Sequence, residues 1–419
     1  MSDISPEKIR QFLLTRYSEV IKGMGFDPVE VPDSFDFLLS GVIDSFGILE
    51  MVASIEDEFR IRLDLAALDA EQVTILGALS QYVAKNAKAH KLTGGQFISS
   101  MMLLYQDRAI FVYCFNHKLG SIQRDLKQLQ AENLLIGTVE VLSAVGYCHN
   151  FALGRNESLL SLATSPLARA LQRAREPRAL VFQHCYAESA VLPSDVNETD
   201  LALRNRYFPA EVMRELQLDH LPYFCSFASG CAGFISVLIA AGGLFPSPDE
   251  RPIICVMADG AQPGVPYDML QERILVSDQS SAFVVGREQC GYQLLGINYY
   301  STTRPGVPFV EIVKRTVQMV QELATSLDLD LAGSDAAIHY PNIFPDTWRM
   351  VTRYLRIPAV EHVIDGMCDR AHCMATDSVI SLAKLHHGQE GRLHVVVNYG
   401  IGLHLGVCMF KEQAQDGAI

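Results

Sequence analysis

Apolar positions in the first 86 residues recur at helical spacing. Ile9, Phe12, Leu13, Tyr17, Val20 and Ile21 line one face of an opening helix. Ser5-Pro6-Glu7 introduces it, with a capping serine and proline at the first helical position. A loop with Pro28 and Pro32 follows. A second stripe then starts near Asp44-Ser45 and carries Phe46, Leu49, Val52, Ile55 and Phe59. Val73, Ile75, Leu76, Leu79, Tyr82 and Val83 form the last one. Nothing in this stretch alternates with the period of a strand, so residues 1–86 predict a small helical bundle. Residues 87–98 are polar or small and carry no apolar period, which predicts a short linker.

From residue 99 the texture changes to short apolar runs alternating with helical patterns. Ala109–Tyr113, Ala179–Gln183, Ile253–Met257, Ala282–Val285, Ala336–His339, His394–Asn398 and Gly406–Phe410 read as strands. Ser121–Glu132, Leu167–Arg175, Ala232–Ala241, Phe309–Ser326 and Ser378–His386 read as helices. Continuous apolar strands separated by helices indicate an α/β sheet covered on both faces. The two halves echo each other. In each, a strand leads to a cysteine-containing turn and a helix, and two apolar strands close the half. The turns are Gly230-Cys231-Ala232 and His372-Cys373-Met374.

Composition narrows the function classes. A formal net charge of −14 leaves nothing to neutralise phosphates, so nucleic acid is not an expected partner. The run FISVLIAAGGLF is too short to span a bilayer, and MSDISPEKIRQ lacks the pattern of a signal peptide. With 10 cysteines spread over 419 residues, no dense disulfide framework is indicated, and a reduced, cytoplasmic setting is expected.

The sharpest chemical feature is Ser229-Gly230-Cys231-Ala232-Gly233, opening a helix that is apolar on every side and must be buried. A thiol at a helix N-terminus is biased toward thiolate, and flanking glycines admit a substrate. The plain alternative is a structural cysteine. His339 ends a short strand, with Asn342 three residues on. This pair suits general-base work, or a histidine bonded to a loop carbonyl. Gly400 and Gly402 could turn backbone N–H groups toward an oxyanion. Their spacing to Gly406, and the strand that follows, exclude a dinucleotide fingerprint. Cys368, His372 and Cys373, with His386, His387 and His394 beyond, match no zinc spacing, so no metal is expected.

Gly230-Cys231-Ala232-Gly233-Phe234, His339-x-x-Asn342 and Tyr399-Gly400-Ile401-Gly402 together resemble the β-ketoacyl-acyl-carrier-protein synthase III family of the thiolase superfamily, over roughly residues 100–412. The resemblance implies an internally duplicated, five-layered thiolase-like fold for residues 99–419 and a homodimer. It also implies an acyl group taken by Cys231 from an acyl-CoA or acyl-carrier thioester, with His339 assisting the second substrate. Two stretches depart from the family. Cys373 falls where its enolate-stabilising asparagine stands, and Ser277-Asp278-Gln279-Ser280-Ser281 replaces a glycine-rich segment. The expected chemistry is therefore acyl transfer in polyketide- or fatty-acid-like biosynthesis. Decarboxylative condensation with malonyl-thioester, through His339 alone or aided by water or His372, is one alternative. A non-catalytic scaffold or heterodimer partner is the other. GVIDSFGILEMV similarly resembles acyl carrier proteins. That implies a four-helix carrier domain over residues 1–86, with 4′-phosphopantetheine placed covalently on Ser45 by a phosphopantetheinyl transferase. Read without the resemblance, Asp44-Ser45 is a helix cap.

Overall fold

The computed structural model describes residues 4–43, 47–59, 61, 63, 73–86, 100–192, 206–227, 229–245, 249–261, 264–269, 273–302, 307, 309–357, 360–364, 366–385, 388–400 and 403–414. Two compact units divide the chain, residues 1–98 with 308–312, and 99–307 with 313–419. Ser45 and residues 87–98 lie outside the described residues.

The first unit contains the helices Pro6–Arg16, Ser18–Gly23, Gly47–Phe59 and Leu76–Asn86. The Ser5 side chain accepts from the Lys8 amide, and Pro6 sits inside the first turn, as the sequence indicates. Ile9, Leu13, Ile21, Met51, Val52, Ile55, Leu76, Leu79 and Val83 meet in one buried core with Phe37.

The second unit is built on one eleven-stranded sheet among the described residues. Its strands in chain order are β1 (Met101–Leu104), β2 (Phe111–Leu119), β3 (Ala179–Gln183), β4 (Tyr223–Ser226), β5 (Ile253–Asp259), β6 (Gln279–Gly286), β7 (Tyr292–Ser301), β8 (Ala336–His339), β9 (Val360–Val363), β10 (Leu393–Gly400) and β11 (His404–Glu412). From the centre outward, one half runs β2-β6-β5-β3-β4 and the other β7-β11-β10-β8-β9. These are the same topological positions. The directions match too. In each half the first two pairings are antiparallel and the outer two parallel. The halves join through a short β2–β7 contact, and β1 adds alongside β7. The internal echo read from the sequence is thus a duplication of topology.

Helices Gly233–Leu244 and Thr376–Leu385 occupy matching places in the two halves and share one core. Phe234, Val237 and Leu238 meet Val379 and Leu382 there, enclosed by Val181 and Phe283 from one half and Ile297 and Phe410 from the other. The first of these helices buries Gly233, Phe234, Ile235, Val237, Leu238, Ala241 and Gly242, while Ser236, Ile239, Ala240 and Leu244 are half-buried and Gly243 is exposed, so the burial expected on every side holds for most of it. Outside the first half-sheet, helix Leu159–Arg173 packs Ala163, Leu167 and Ala170 on Phe182, Val256 and Val284. Outside the second, Asn298 of β7 donates to the Met319 carbonyl of helix Phe309–Ser326.

One sequence reading changes, and one strand lies outside the sequence reading. Ser121–Glu132 is not one helix. Ile122–Asp125 is a strand paired with His149–Ala152, and the Asp125–Gln128 capping box starts a helix only at Leu126. Strand β7 carries no single-faced pattern, because polar Asn298 lies inside it, yet it contacts β1, β2 and β11. Leu238 is fully buried between the half-sheets. Leu238→Ala should cost about 2–5 kcal/mol, read as a lower urea midpoint with unchanged slope.

Candidate active site

Cys231 follows β4, Asn342 follows β8 and Gly400 ends β10, so the site draws on the C-terminal ends of parallel strands. After β4 the chain makes a single 3₁₀ turn, Gly230–Ala232, and enters helix Gly233–Leu244. Gly230 takes a left-handed φ of 50°. Cys231 therefore sits immediately before a buried helix, 5 % exposed. Gly400, at the end of β10, presses its backbone against this turn. A Cβ there would collide with the Ser229 carbonyl oxygen. Gly402 lies outside the described residues.

The histidine at the sulfur is His372. Its Nε2 lies 3.1 Å from Cys231 Sγ, and its Nδ1 lies 2.6 Å from Asp377 Oδ2. His372 is held through its backbone. Its amide donates to the Leu275 carbonyl, and its carbonyl accepts from the Ser277 amide. Ser277 Oγ donates to the Arg370 carbonyl at 2.7 Å. Cys148 and Cys368 form a disulfide that ties the preceding helical turn, Met367–Arg370, to the segment before the strand His149–Ala152. The serine-rich stretch is thus scaffold for the histidine loop. Asp278 within it takes the amides of Leu153 and Ala261 and the Tyr267 hydroxyl.

Asp377 stands in the first turn of helix Thr376–Leu385, where a negative charge is favoured. Asn342 donates to it twice, from its backbone amide at 2.9 Å and its side-chain Nδ2 at 3.3 Å. The Cys373 amide donates at 3.2 Å, and the Arg370 guanidinium lies 3.5 Å away. Burial alone would raise this carboxyl, but the His372 cation, Arg370 and the Asn342 amide hold it below the usual carboxylate range. Burial would likewise push His372 toward neutrality. The Cys231 and Asp377 charges on either side overcome it and raise the imidazole. The neighbouring Cys185 thiol and the His372 cation lower the Cys231 thiol against its own burial. The resting state is a thiolate–imidazolium pair backed by a carboxylate.

His339 is not part of this group. Its Nδ1 lies 2.6 Å from Ser381 Oγ and its Nε2 2.9 Å from His394 Nδ1, and His394 Nε2 lies 3.0 Å from Glu412 Oε2. Because the last contact needs a proton donor, the tautomers follow in sequence. His394 donates to Glu412, His339 donates to His394, and the Ser381 hydroxyl donates to His339. Burial and the neighbouring His394 and Arg392 keep His339 neutral. Cys373 directs its thiol toward the Arg370 carbonyl, 3.7 Å away. Of the residues singled out by sequence, Cys231, Asn342, Gly400 and the backbone of Cys373 meet at the site, whereas His339 faces a separate buried chain. His372 entered the sequence reading only as a secondary aid, and Asp377 not at all. The available signal was a His and an Asp five residues apart, straddling a helix start in the half that mirrors Cys231.

Neither a protein-family model nor a curated protein sequence matches the chain. Solved structures do. The 3-oxoacyl-[acyl-carrier-protein] synthase III of Aquifex aeolicus VF5 superposes with a TM-score of 0.57 at 15 % identity, covering 72 % of this chain and 99 % of its own. The second unit has the synthase III form of the thiolase fold. ChlB3, an acyltransferase, gives a TM-score of 0.59 at 14 % identity over 73 % of this chain and 98 % of its own. A single-substitution variant of OleA from Xanthomonas campestris gives 0.53 at 15 % over 72 % and 98 %.

A thiol with a lowered pKa is ionised at pH values where an ordinary cysteine, near 8.5, is still protonated. Iodoacetamide should therefore alkylate Cys231 at a rate that is already pH-independent near neutrality. His372→Ala should move the inflection upward by roughly two or more pH units, read by peptide mass spectrometry. An inflection unmoved by the substitution would show that the imidazole does not hold the thiolate.

Proposed function

We propose that the chain is an acyltransferase in which Cys231 accepts an acyl group from a thioester and His372 delivers it to a hydroxyl or amine. The observation that carries this reading is the contact of His372 with Cys231 on one nitrogen and with Asp377 on the other. The thiolate attacks the thioester carbonyl, and the departing thiol takes the imidazolium proton. Neutral His372, kept in orientation by Asp377, then removes a proton from the acceptor as it attacks the acyl-enzyme. This cycle needs one base that moves a proton twice. Condensation by loss of carbon dioxide needs two donors that hold an enolate, and a charged imidazole bonded to a carboxylate is built for the former. That one solved structure of this fold carries the name of an acyltransferase and another that of a synthase is compatible with either chemistry on one scaffold.

In this reading the first unit is an acyl carrier with phosphopantetheine on Ser45, placed there by a phosphopantetheinyl transferase. Tethering raises the thioester concentration near Cys231 without a new contact. A homodimer is supported by the edge strand β4, whose Tyr223 and Phe224 are exposed. Among the described residues, no helix is long and apolar enough to cross a membrane.

Incubation with acyl thioesters should leave an acyl adduct on Cys231, absent in Cys231→Ala. His372→Ala should slow its formation by about 10²–10⁴-fold. Transfer to alcohols or amines should proceed without carbon dioxide release from malonyl-thioester, whose appearance would favour condensation. Activity retained by Cys231→Ala would favour the scaffold reading. His339→Ala should still acylate Cys231, while losing about 1–3 kcal/mol of stability from the unpaired buried His394 and Ser381.

A further inference from the structure

A second side chain of the histidine segment touches the nucleophile. Met374 Sδ lies 3.8 Å from Cys231 Sγ, against 3.1 Å for His372 Nε2. Met374 holds a left-handed φ of 51°. The turn around it is closed by the Thr376 amide on the Cys373 carbonyl at 2.9 Å and the Asp377 amide on the Met374 carbonyl at 3.3 Å. Cys231 is 5 % exposed and Met374 3 %, so a thioester carbonyl reaches the sulfur only if a neighbour gives way. Of these two neighbours, His372 is held by Asp377 on Nδ1 and through its own amide and carbonyl. The Met374 thioether is held by much less. Beside a thiolate it accepts no proton, so the 3.8 Å approach is van der Waals contact and is easily broken. The Tyr186 hydroxyl stands 4.0 Å from Met374 Sδ and 3.3 Å from Met269 Sδ. Tyr186 and Met269 are half-buried. From Cys231, the line Met374, Tyr186, Met269 therefore runs from buried side chains to partly exposed ones.

We propose that Met374 is the gate over Cys231, and that the acyl groups it admits are uncharged and apolar, lying along Met374, Tyr186 and Met269. An unbranched side chain with three rotatable bonds swings aside while its Cα stays fixed, and its thioether then repacks against an alkyl chain. The imidazole and the carboxylate keep their places. A carboxylate-bearing acyl group would exchange its water for two thioethers and a single hydroxyl, which leaves most of its charge without partners. The nature of the acyl group rests on the acyltransferase reading. The gate rests only on the contact with the sulfur.

Maleimides of two sizes test the gate without an acyl substrate. The full-length protein is treated with N-ethylmaleimide or N-cyclohexylmaleimide, and the rate at Cys231 is read by peptide mass spectrometry. Both reagents take the same thiolate, so the cyclohexyl-to-ethyl rate ratio cancels any change in its pKa. In wild type that ratio should lie well below the ratio for free glutathione. Met374→Ala should raise it on the order of tenfold, because the bulkier reagent gains most from an open gate. Met374→Leu, which refills the space, should keep it within about twofold of wild type. A ratio unmoved by Met374→Ala, or moved as far by Met374→Leu, overturns the gate. A wild-type ratio equal to that of glutathione does so even if the variants do not fold. Hexanoyl-CoA and malonyl-CoA then test the acyl class. Hexanoyl should label wild-type Cys231 the faster, and a faster malonyl label overturns the apolar assignment. If neither thioester labels Cys231, the acyltransferase reading and the acyl class fall together, while the maleimide ratio still decides the gate.

Discussion

The constraint on which the site depends is a line of three buried charges, negative, positive and negative. Removing each from water costs several kcal/mol, and their attraction repays that only with close geometry and further hydrogen bonds. The surroundings of Asp377 meet that condition. Asn342, the Cys373 amide and Arg370 all point at it. Stripped of those donors, the carboxylate would protonate, the imidazole would lose its partner, and the sulfur would revert to a buried thiol.

The duplicated topology brings the line together. Cys231 precedes one middle-layer helix and Asp377 lies in the first turn of its counterpart. Two positive helix ends therefore face one site and favour the two anionic members. The histidine between them comes from the loop of the second half. Its backbone is pinned by residues 275 and 277, outside both helices. The serine-rich stretch acts on the site through that loop and through Ser281, whose hydroxyl lies 2.6 Å from that of Thr376 beside Asp377, and the Cys148–Cys368 disulfide acts through the loop.

A second histidine chain in the same unit shows how far environment decides chemistry. Ser381, His339, His394 and Glu412 form a line of hydrogen bonds as complete as that of the active site. No thiol stands in that line, and His339 is driven neutral. Its donors and acceptors are consumed in joining helix Thr376–Leu385 to β10 and β11. The residue at the strand end, where the sequence pattern points, is thus held in a separate buried chain, and the histidine that reaches the sulfur sits on a loop without periodic signal.

The pattern of residues by itself determined the alternation of strands and helices, the wholly apolar helix behind Cys231 and the repeat of two halves. Those features rest on local propensity and burial, which act over a few neighbours. It also singled out Cys231, because small residues before a buried helix are a local signature. Only the tertiary structure decided which histidine reaches the sulfur. A strand turns successive side chains to opposite faces, so one step of register separates a group that faces a site from one that faces the core. His339 falls on the core side. His372 and Asp377 are brought to the site of Cys231 across 141 and 146 residues of chain, distances over which no local pattern carries information.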